Sequence, residues 1–244
     1  YGADDILTYV ISIVNSGPAP YTGLTMTDDL GAYTYGTGTL TPLTYVDGSL
    51  RYFVNGVLQA TPTPTADAPL TVPGIAVPAG GNALLIYETR VNSFAPLDTE
   101  STVTNTATLS GAGLTTPVQA ASTVNARAAA YLTIGKAVSP ATVAENGTLT
   151  YTFTIQNYGN TAAAETDNVT VSDTFSPILK AISVTYNGVA WTEGTQYTYN
   201  AATGAFATTA GQITVPAASL TRDAATGSVV VTPGISTLTV TGTV

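Results

Sequence analysis

Residues Leu149–Phe175 read LTYTFTIQNYGNTAAAETDNVTVSDTF, and residues Leu7–Leu30 read LTYVISIVNSGPAPYTGLTMTDDL. The second stretch is an altered copy of the first: an alternating apolar strand, an Asn-x-Gly, then a second strand that ends in aspartate. The register holds downstream. VNGV at Val54–Val57 answers YNGV at Tyr186–Val189, and GIAVPAG at Gly74–Gly80 answers QITVPAA at Gln212–Ala218. Self-similarity at a fixed offset predicts tandem domains of one fold. A chain of 244 residues accommodates two domains of ordinary size, each able to bury a core.

Strand signals fill both copies. Leu7–Val14 (LTYVISIV), Ala83–Val91 (ALLIYETRV), Leu149–Ile155 (LTYTFTI), Asn168–Ser172 (NVTVS) and Thr237–Val244 alternate with period two and are rich in Thr, Val, Ile and Tyr. Asn-Ser-Gly, Asp-Gly, Asn-Gly and Pro-Ala-Gly punctuate them with turn chemistry. No segment has a convincing helical period. The expectation is an all-β chain of two tandem immunoglobulin-like antiparallel β-sandwich domains, residues 1–127 and 128–244. The Cys…Trp…Cys core of antibody domains is missing, so only the architecture is expected. The boundary falls near Asn125–Tyr131. That linker has no Gly/Ser run, which predicts limited rotation between the domains.

The ends of the copies differ. Copy 2 opens with Tyr131–Val138 (YLTIGKAV), which has no counterpart in copy 1, where Tyr1 aligns with about Val143. Copy 1 closes with Thr102–Leu109 (TVTNTATL), which has no counterpart in copy 2, where Val244 aligns with Val91. Copy 1 therefore lacks its first strand and copy 2 its last. A sandwich short of a strand exposes unpaired backbone groups. Two readings stand side by side: an excerpt of a longer tandem array, or a subunit whose neighbours supply the missing strands, as in donor-strand fibres. The chain opens on Tyr1 rather than methionine, which reads as a mature, trimmed or excerpted segment.

Composition narrows the partners. The formal net charge is −9, from 15 Asp and Glu against 6 Lys and Arg. That balance excludes nucleic acid and anionic membrane surfaces as partners. Charged residues make up 9% of the chain, so solubility rests on Thr, Ser and Asn. No apolar run is long enough to insert in a membrane. With no Cys and no His there is no disulfide frame, no thiolate nucleophile and no imidazole base. The partners expected are copies of the chain itself or neighbouring repeats.

The stretch IGKAVSPATVAENGTLTYTFTIQNYGNTAAAETDNVTVSDTF, taken with VTNTA in copy 1, resembles the bacterial repeat family called domain of unknown function eleven. Copy 2 carries every element of the family pattern but the last, and copy 1 every element but the first. Copy 1 departs at Asp28-Asp29, where the family has Asp-Thr. The resemblance implies tandem arrays on bacterial or archaeal surfaces, in filaments and in spore or cell envelopes. It implies no enzymatic activity.

Lysine occurs only at Lys136 and Lys180. Lys136 sits in the apolar strand IGKAV, where Leu132, Ile134 and Lys136 share a face. If that face points inward, burial disfavours the ammonium. A neutral amine beside a carboxamide and a protonated acid is the arrangement for a spontaneous Lys–Asn isopeptide bond. The family motif offers Asp173, or Asp28 in copy 1, as the acid and Asn105 as the carboxamide. Lys136 and Asn105 lie in different copies, so a complete triad needs a strand from outside. The plainer readings are a Lys136 that snorkels at a strand edge and an Asp173 that caps a turn.

Other acidic residues offer calcium as a cofactor, chiefly Asp98 with Glu100 and Glu165 with Asp167, with Asp4-Asp5 and Asp28-Asp29 as further pairs. None forms an EF-hand loop, and solvated loop carboxylates are the plainer account of them. No nucleophile elbow or phosphate loop appears, and no carboxylate pair stands in a glycosidase frame. Trp191, Tyr186, Tyr197 and Tyr199 flank an expected hairpin, where they either stack on sugars or pack across strands. The function expected is that of a structural segment of an extracellular surface fibre, filament or stalk. An adhesin that binds a host or carbohydrate ligand is the alternative, and an accessory module of a secreted enzyme is a third reading.

Overall fold

A computed structural model describes all 244 residues. The chain divides into two compact units. Unit 1 is Tyr1–Arg127 with Thr221–Val230, and unit 2 is Ala128–Leu220 with Val231–Val244. The ten residues from Thr221, which the sequence places in the second repeat, thus group with unit 1.

In unit 1, β1 (Ile6–Val14) and β2 (Tyr21–Asp28) are followed by a small hairpin of β3 (Tyr33–Tyr35) and β4 (Gly38–Leu40). Then come β5 (Leu43–Tyr45), β6 (Arg51–Val54), β7 (Val57–Leu58), β8 (Ala66–Asp67) and β9 (Leu70–Val77). The long strands β10 (Asn82–Val91), β11 (Thr102–Ser110) and β12 (Val118–Asn125) complete the set. One sheet runs β1-β10-β6-β7, with β5 also on β10, and the other runs β12-β11-β2-β9-β8. Period-two alternation sends Leu24, Met26, Val72, Leu85 and Tyr87 into the core, each at most 1% exposed. Burial of such a side chain contributes about 1.5–3 kcal/mol. The first sheet ends at β1, which pairs with β10 from Ile6↔Arg90 to Val14↔Asn82 and carries no strand on its other edge.

Unit 2 contains β13 (Leu132–Ser139), β14 (Thr148–Asn157), β15 (Ser172–Thr174), β16 (Lys180–Tyr186) and β17 (Val189–Trp191). These are followed by β18 (Tyr197–Asn200), β19 (Ala205–Thr208) and β22 (Gly234–Thr243), while β20 (Ser219–Arg222) and β21 (Val229–Thr232) run across the division between the units. The larger sheet runs β13-β14-β22-β16-β17, so β14, the counterpart of β1, is covered by β13. The facing sheet is only β15-β19-β18, with no counterpart of β11 or β12. The fold is therefore all-β with antiparallel sandwich architecture, and its one helical turn is the 3-10 segment Glu165–Asp167.

The repeated Asn-x-Gly has the same task in both units. Asn15 is buried; its Nδ2 donates to Ala19 O at 2.8 Å and Pro78 O at 3.0 Å, and its Oδ1 accepts from Gly17 N at 2.9 Å. Asn157 donates to Thr161 O at 2.7 Å and Pro216 O at 3.0 Å and accepts from Gly159 N at 2.9 Å and Tyr131 N at 3.0 Å. One amide thus satisfies backbone groups that the strand end leaves unpaired.

One strand expectation needs correction, and one open choice is decided. Asn168–Ser172 was expected as a strand, but β15 spans only Ser172–Thr174, and Asn168 adopts a left-handed φ of 52°. Its counterpart β2 is held between β11 and β9, whereas β15 has a partner only in β19, and strand composition without a ladder does not make a strand. The aromatics near the second hairpin are packed rather than displayed. Tyr186 and Tyr197 are buried, Tyr186 stacks on Trp191 with centroids 4.9 Å apart, and the Tyr199 hydroxyl donates to Leu179 O at 2.7 Å.

Within unit 1 the Thr221–Val230 segment is fastened by Arg222. Its guanidinium lies 5.4 Å from the ring centroids of both Tyr33 and Tyr35, and Nη1 donates to Gly227 O at 2.7 Å. Val229 N donates to Ser93 O at 2.7 Å.

Candidate functional site

Asp28 closes β2, and the ladder sets it opposite Ala107 of β11. Asn105 lies two residues from Ala107 and so shares its face. That spacing brings the carboxamide to the carboxylate: Asn105 Nδ2 donates to Asp28 Oδ2 at 2.9 Å. Tyr87 reaches across from β10 and donates its hydroxyl to the same oxygen, and Leu30 N donates to Asp28 Oδ1 at 2.8 Å. Asp28 is 0% exposed and Asn105 3%. No cation is paired with this buried acid. Burial raises the Asp28 pKa above the ordinary carboxylate range, and the bonds from Tyr87, Leu30 and Asn105 offset part of the rise. The same burial, together with the charge of Asp28, drives the Tyr87 phenol upward.

The carbonyl of Asn105 has its own donor. Gly31 N lies 3.0 Å from Asn105 Oδ1 and 2.9 Å from Asp29 Oδ1. Gly31 has a φ of +70°, and a Cβ there would meet Val103 Cγ1 at 2.5 Å, so only glycine brings this N–H to the amide. Asp29, the residue that departs from the family pattern, also accepts from Thr106 N at 2.9 Å and so ties β2 to β11. Tyr9 stands opposite Tyr87 in the β1–β10 ladder, with ring centroids 5.8 Å apart. Its buried hydroxyl has no hydrogen-bond partner, and burial, with Asp28 and Asp29 nearby, pushes its pKa up to about 12.

A groove opens beside this cluster, between the free edge of β1 and strands β11 and β12. It consists of two cavities of about 410 Å³ each that share Ile11, Ala107 and Ala120 as walls. Tyr9, Asp28 and Asn105 line one of them.

In unit 2, Lys136 of β13 forms an ion pair with Asp173 of β15. Its Nζ lies 4.8 Å from the Tyr151 centroid and 5.7 Å from those of Phe153 and Phe175. The ammonium thus stands over three rings, but the Lys136 side chain is still 41% exposed, Ile134 on the same face is 55% exposed, and the ammonium is not sealed from water. Asp173 Oδ1 accepts from Thr174 N at 2.9 Å. By the repeat, Asp173 corresponds to Asp28, Tyr151 to Tyr9 and Phe153 to Ile11. No strand stands where β11 holds Asn105. Lys136 and Asp173 thus come together in unit 2, and Asp28 and Asn105 in unit 1.

Sequence reading did not single out Tyr87, Tyr9 or Gly31. The calcium candidates stay apart: Asp167 Oδ2 accepts from Ala164 N at 2.8 Å, Asp98 and Glu100 lie in the turn before β11, and no group of three or more acidic side chains assembles.

No family model matches the chain, and no curated protein matches it. Among solved structures it is similar to the pilus backbone RrgB of Streptococcus pneumoniae, at 10% identity and a TM-score of 0.31, over 96% of this chain and 49% of that one. A full-length structure of the RrgB pilus protein matches at 13% identity and a TM-score of 0.31, over 96% of this chain and 36% of that one. The chain spans less than two thirds of either.

Proposed function

We propose that the chain is a structural segment of an extracellular surface fibre or stalk, in which β-sandwich repeats bear load and join to neighbouring repeats. The observation that carries this reading is the division of one constellation into two halves. Unit 1 holds an acid and a carboxamide without an amine, and unit 2 holds an amine and an acid without a carboxamide. Each half lies where its sandwich lacks a strand that the other copy of the repeat possesses. An uncovered strand edge beside a buried acid can pair with a strand of a neighbouring repeat, whether along the same chain or in another copy. The family resemblance supports the same reading and brings with it a surface location. The adhesin alternative gains no support, because the aromatics that would form a sugar platform are core and cross-strand contacts.

Native-source material tests this reading. The expected result is regular fibres in electron micrographs that antibody to the chain decorates, with a ladder of multiples on a gel after boiling in denaturant. A chain found only as a single species, never in fibres, would overturn it.

A further inference from the structure

We infer that the strap between β7 and β8 of unit 1, residues 60–65, is a site of covalent sugar attachment, with the hydroxyls of Thr61, Thr63 and Thr65 as the acceptors. The inference rests on the fibre reading for one thing only, the extracellular surface that such sugars clothe.

The first argument is composition. Residues 60–65 read ATPTPT, the one place in the chain where two Thr-Pro pairs follow each other, and residues 59–66 carry no charge. Alternation of threonine with proline is the composition of O-glycosylated stalks. The stretch that follows YNGV in unit 2 has no Thr-Pro pair before its QITVPAA, so the strap belongs to unit 1 alone. The second argument is the backbone. Thr61 and Thr63 each precede a proline, which holds them extended, and the prolines have no N–H to give to a ladder. Residues 59–64 accordingly lie in no strand or helix. The strap is pinned at its ends instead, where Gln59 N donates to Tyr52 O and Thr65 N to Thr71 O, each at 2.9 Å. A modifying enzyme needs an acceptor outside the sheets, and a segment already extended and tethered gives up little entropy on entering its cleft.

The third argument is the face on display. Thr61, Thr63 and Thr65 are exposed, whereas Pro62 and Pro64 are half-buried and line a recess with Tyr45 and Leu50. The hydroxyls of Thr61 and Thr63 have no hydrogen-bond partner, and that of Thr65 has only Thr71 O at 3.5 Å. A proline-rich ligand docks by setting its prolines into an aromatic-lined groove of a partner. Here the prolines rest on their own unit and the hydroxyls turn outward, so the strap shows a partner oxygens rather than a proline ridge. Sugars at this place also suit a chain in which only 9% of residues are charged, because they hydrate a surface that charge leaves poorly solvated.

The group transferred comes from an activated sugar, a glycosyl phosphate ester. The threonine Oγ1 attacks the anomeric carbon and a C–O bond forms. The bond from that carbon to the phosphate oxygen breaks, and the phosphate leaves with the electron pair. The hydroxyl proton passes to a base of the transferase, and nothing is oxidised or reduced.

Native-source protein tests the inference, read by intact mass and by fragmentation of the tryptic peptide 52–90. The expected result is a peptide heavier than its sequence by whole sugar residues, with the sugar on Thr61, Thr63 or Thr65 and released by alkaline β-elimination. The variant with Thr61→Val, Thr63→Val and Thr65→Val, made in the same source, gives this peptide at its sequence mass. A native peptide at its sequence mass, sugar confined to other residues, or phosphate in place of sugar overturns the inference, whether or not the variant folds. Native fibres whose peptide is bare overturn it and leave the fibre reading standing. A sugar-bearing peptide from a chain that forms no fibres overturns the fibre reading alone.

Discussion

A carboxylate fully removed from water beside two phenols and an amide is an uncommon thing to bury, because an unpaired charge is costly in a dry interior. Asp28 answers that cost with three donors and a raised pKa. The sign of the consequence is fixed. A folded state whose acid has a higher pKa than the unfolded chain binds the proton more tightly, so the stability contributed is full below the ordinary carboxylate range and is lost as pH rises through the raised pKa. Asp28→Asn removes the titration but keeps the shape. The stability of wild type relative to this variant should therefore fall as pH rises from acid toward neutral, as read by urea denaturation at a series of pH values; a difference that does not change with pH would show that Asp28 does not hold its proton more tightly when folded. Lys136 makes a contrasting case. Its ion pair with Asp173 is open to solvent on the lysine side, and exposed pairs contribute little. Lys136→Met, which keeps the contact with Tyr151 and Phe175, should cost unit 2 under about 1 kcal/mol. A loss of several times that size in thermal or urea unfolding would mean that the pair is a structural anchor.

At the scale of elements, what the sequence disclosed depended on how local the cause was. Strands β1, β10 and β14 were legible because alternation is written in consecutive residues. Lys136 stood out as a lysine in an apolar strand, whereas Asp28, Asn105 and Asp173 were singled out only through the family resemblance. Tyr87 was not, for it is one of 14 tyrosines and only the antiparallel register sets it over Asp28. Gly31 was not, since its role lies in a positive φ and a close approach to Val103 rather than in any motif. The shortened β15 was misread because NVTVS has strand chemistry while the ladder it needs comes from a strand far away in sequence. The Asn-x-Gly element was read as a turn, whereas its asparagine is the buried staple of a strand end. Asn157→Ala leaves the carbonyls of Thr161 and Pro216 and the N–H groups of Gly159 and Tyr131 without that partner. The cost should be about 2–3 kcal/mol, the range for stranded buried polar groups. Trp191, the sole tryptophan, lies in unit 2 and reports it. Its fluorescence transition should move to lower urea in this variant, and an unmoved midpoint would return the motif to a plain turn.

For the molecule as a whole, the decisive balance is between a sparse surface charge and an open apolar edge. Only 9% of residues are charged, and the net charge of −9 is the main long-range force that keeps copies apart. Salt weakens that repulsion, with a Debye length near 8 Å at physiological ionic strength. The attraction at β1 is short-ranged, made of backbone hydrogen bonds and apolar contact, and salt leaves it largely intact. The chain should therefore associate more as protein concentration and salt rise together, with β1 as the contact. Val10→Lys places a charge on that edge at a position already 57% exposed, which is how folded proteins ordinarily guard such strands. Sedimentation velocity across a concentration series should show the wild type forming larger species in salt and the variant remaining small. The Trp191 transition should be the same in both, since Val10 lies in unit 1 and Trp191 reports unit 2. Association that persists unchanged in Val10→Lys would move the contact away from β1.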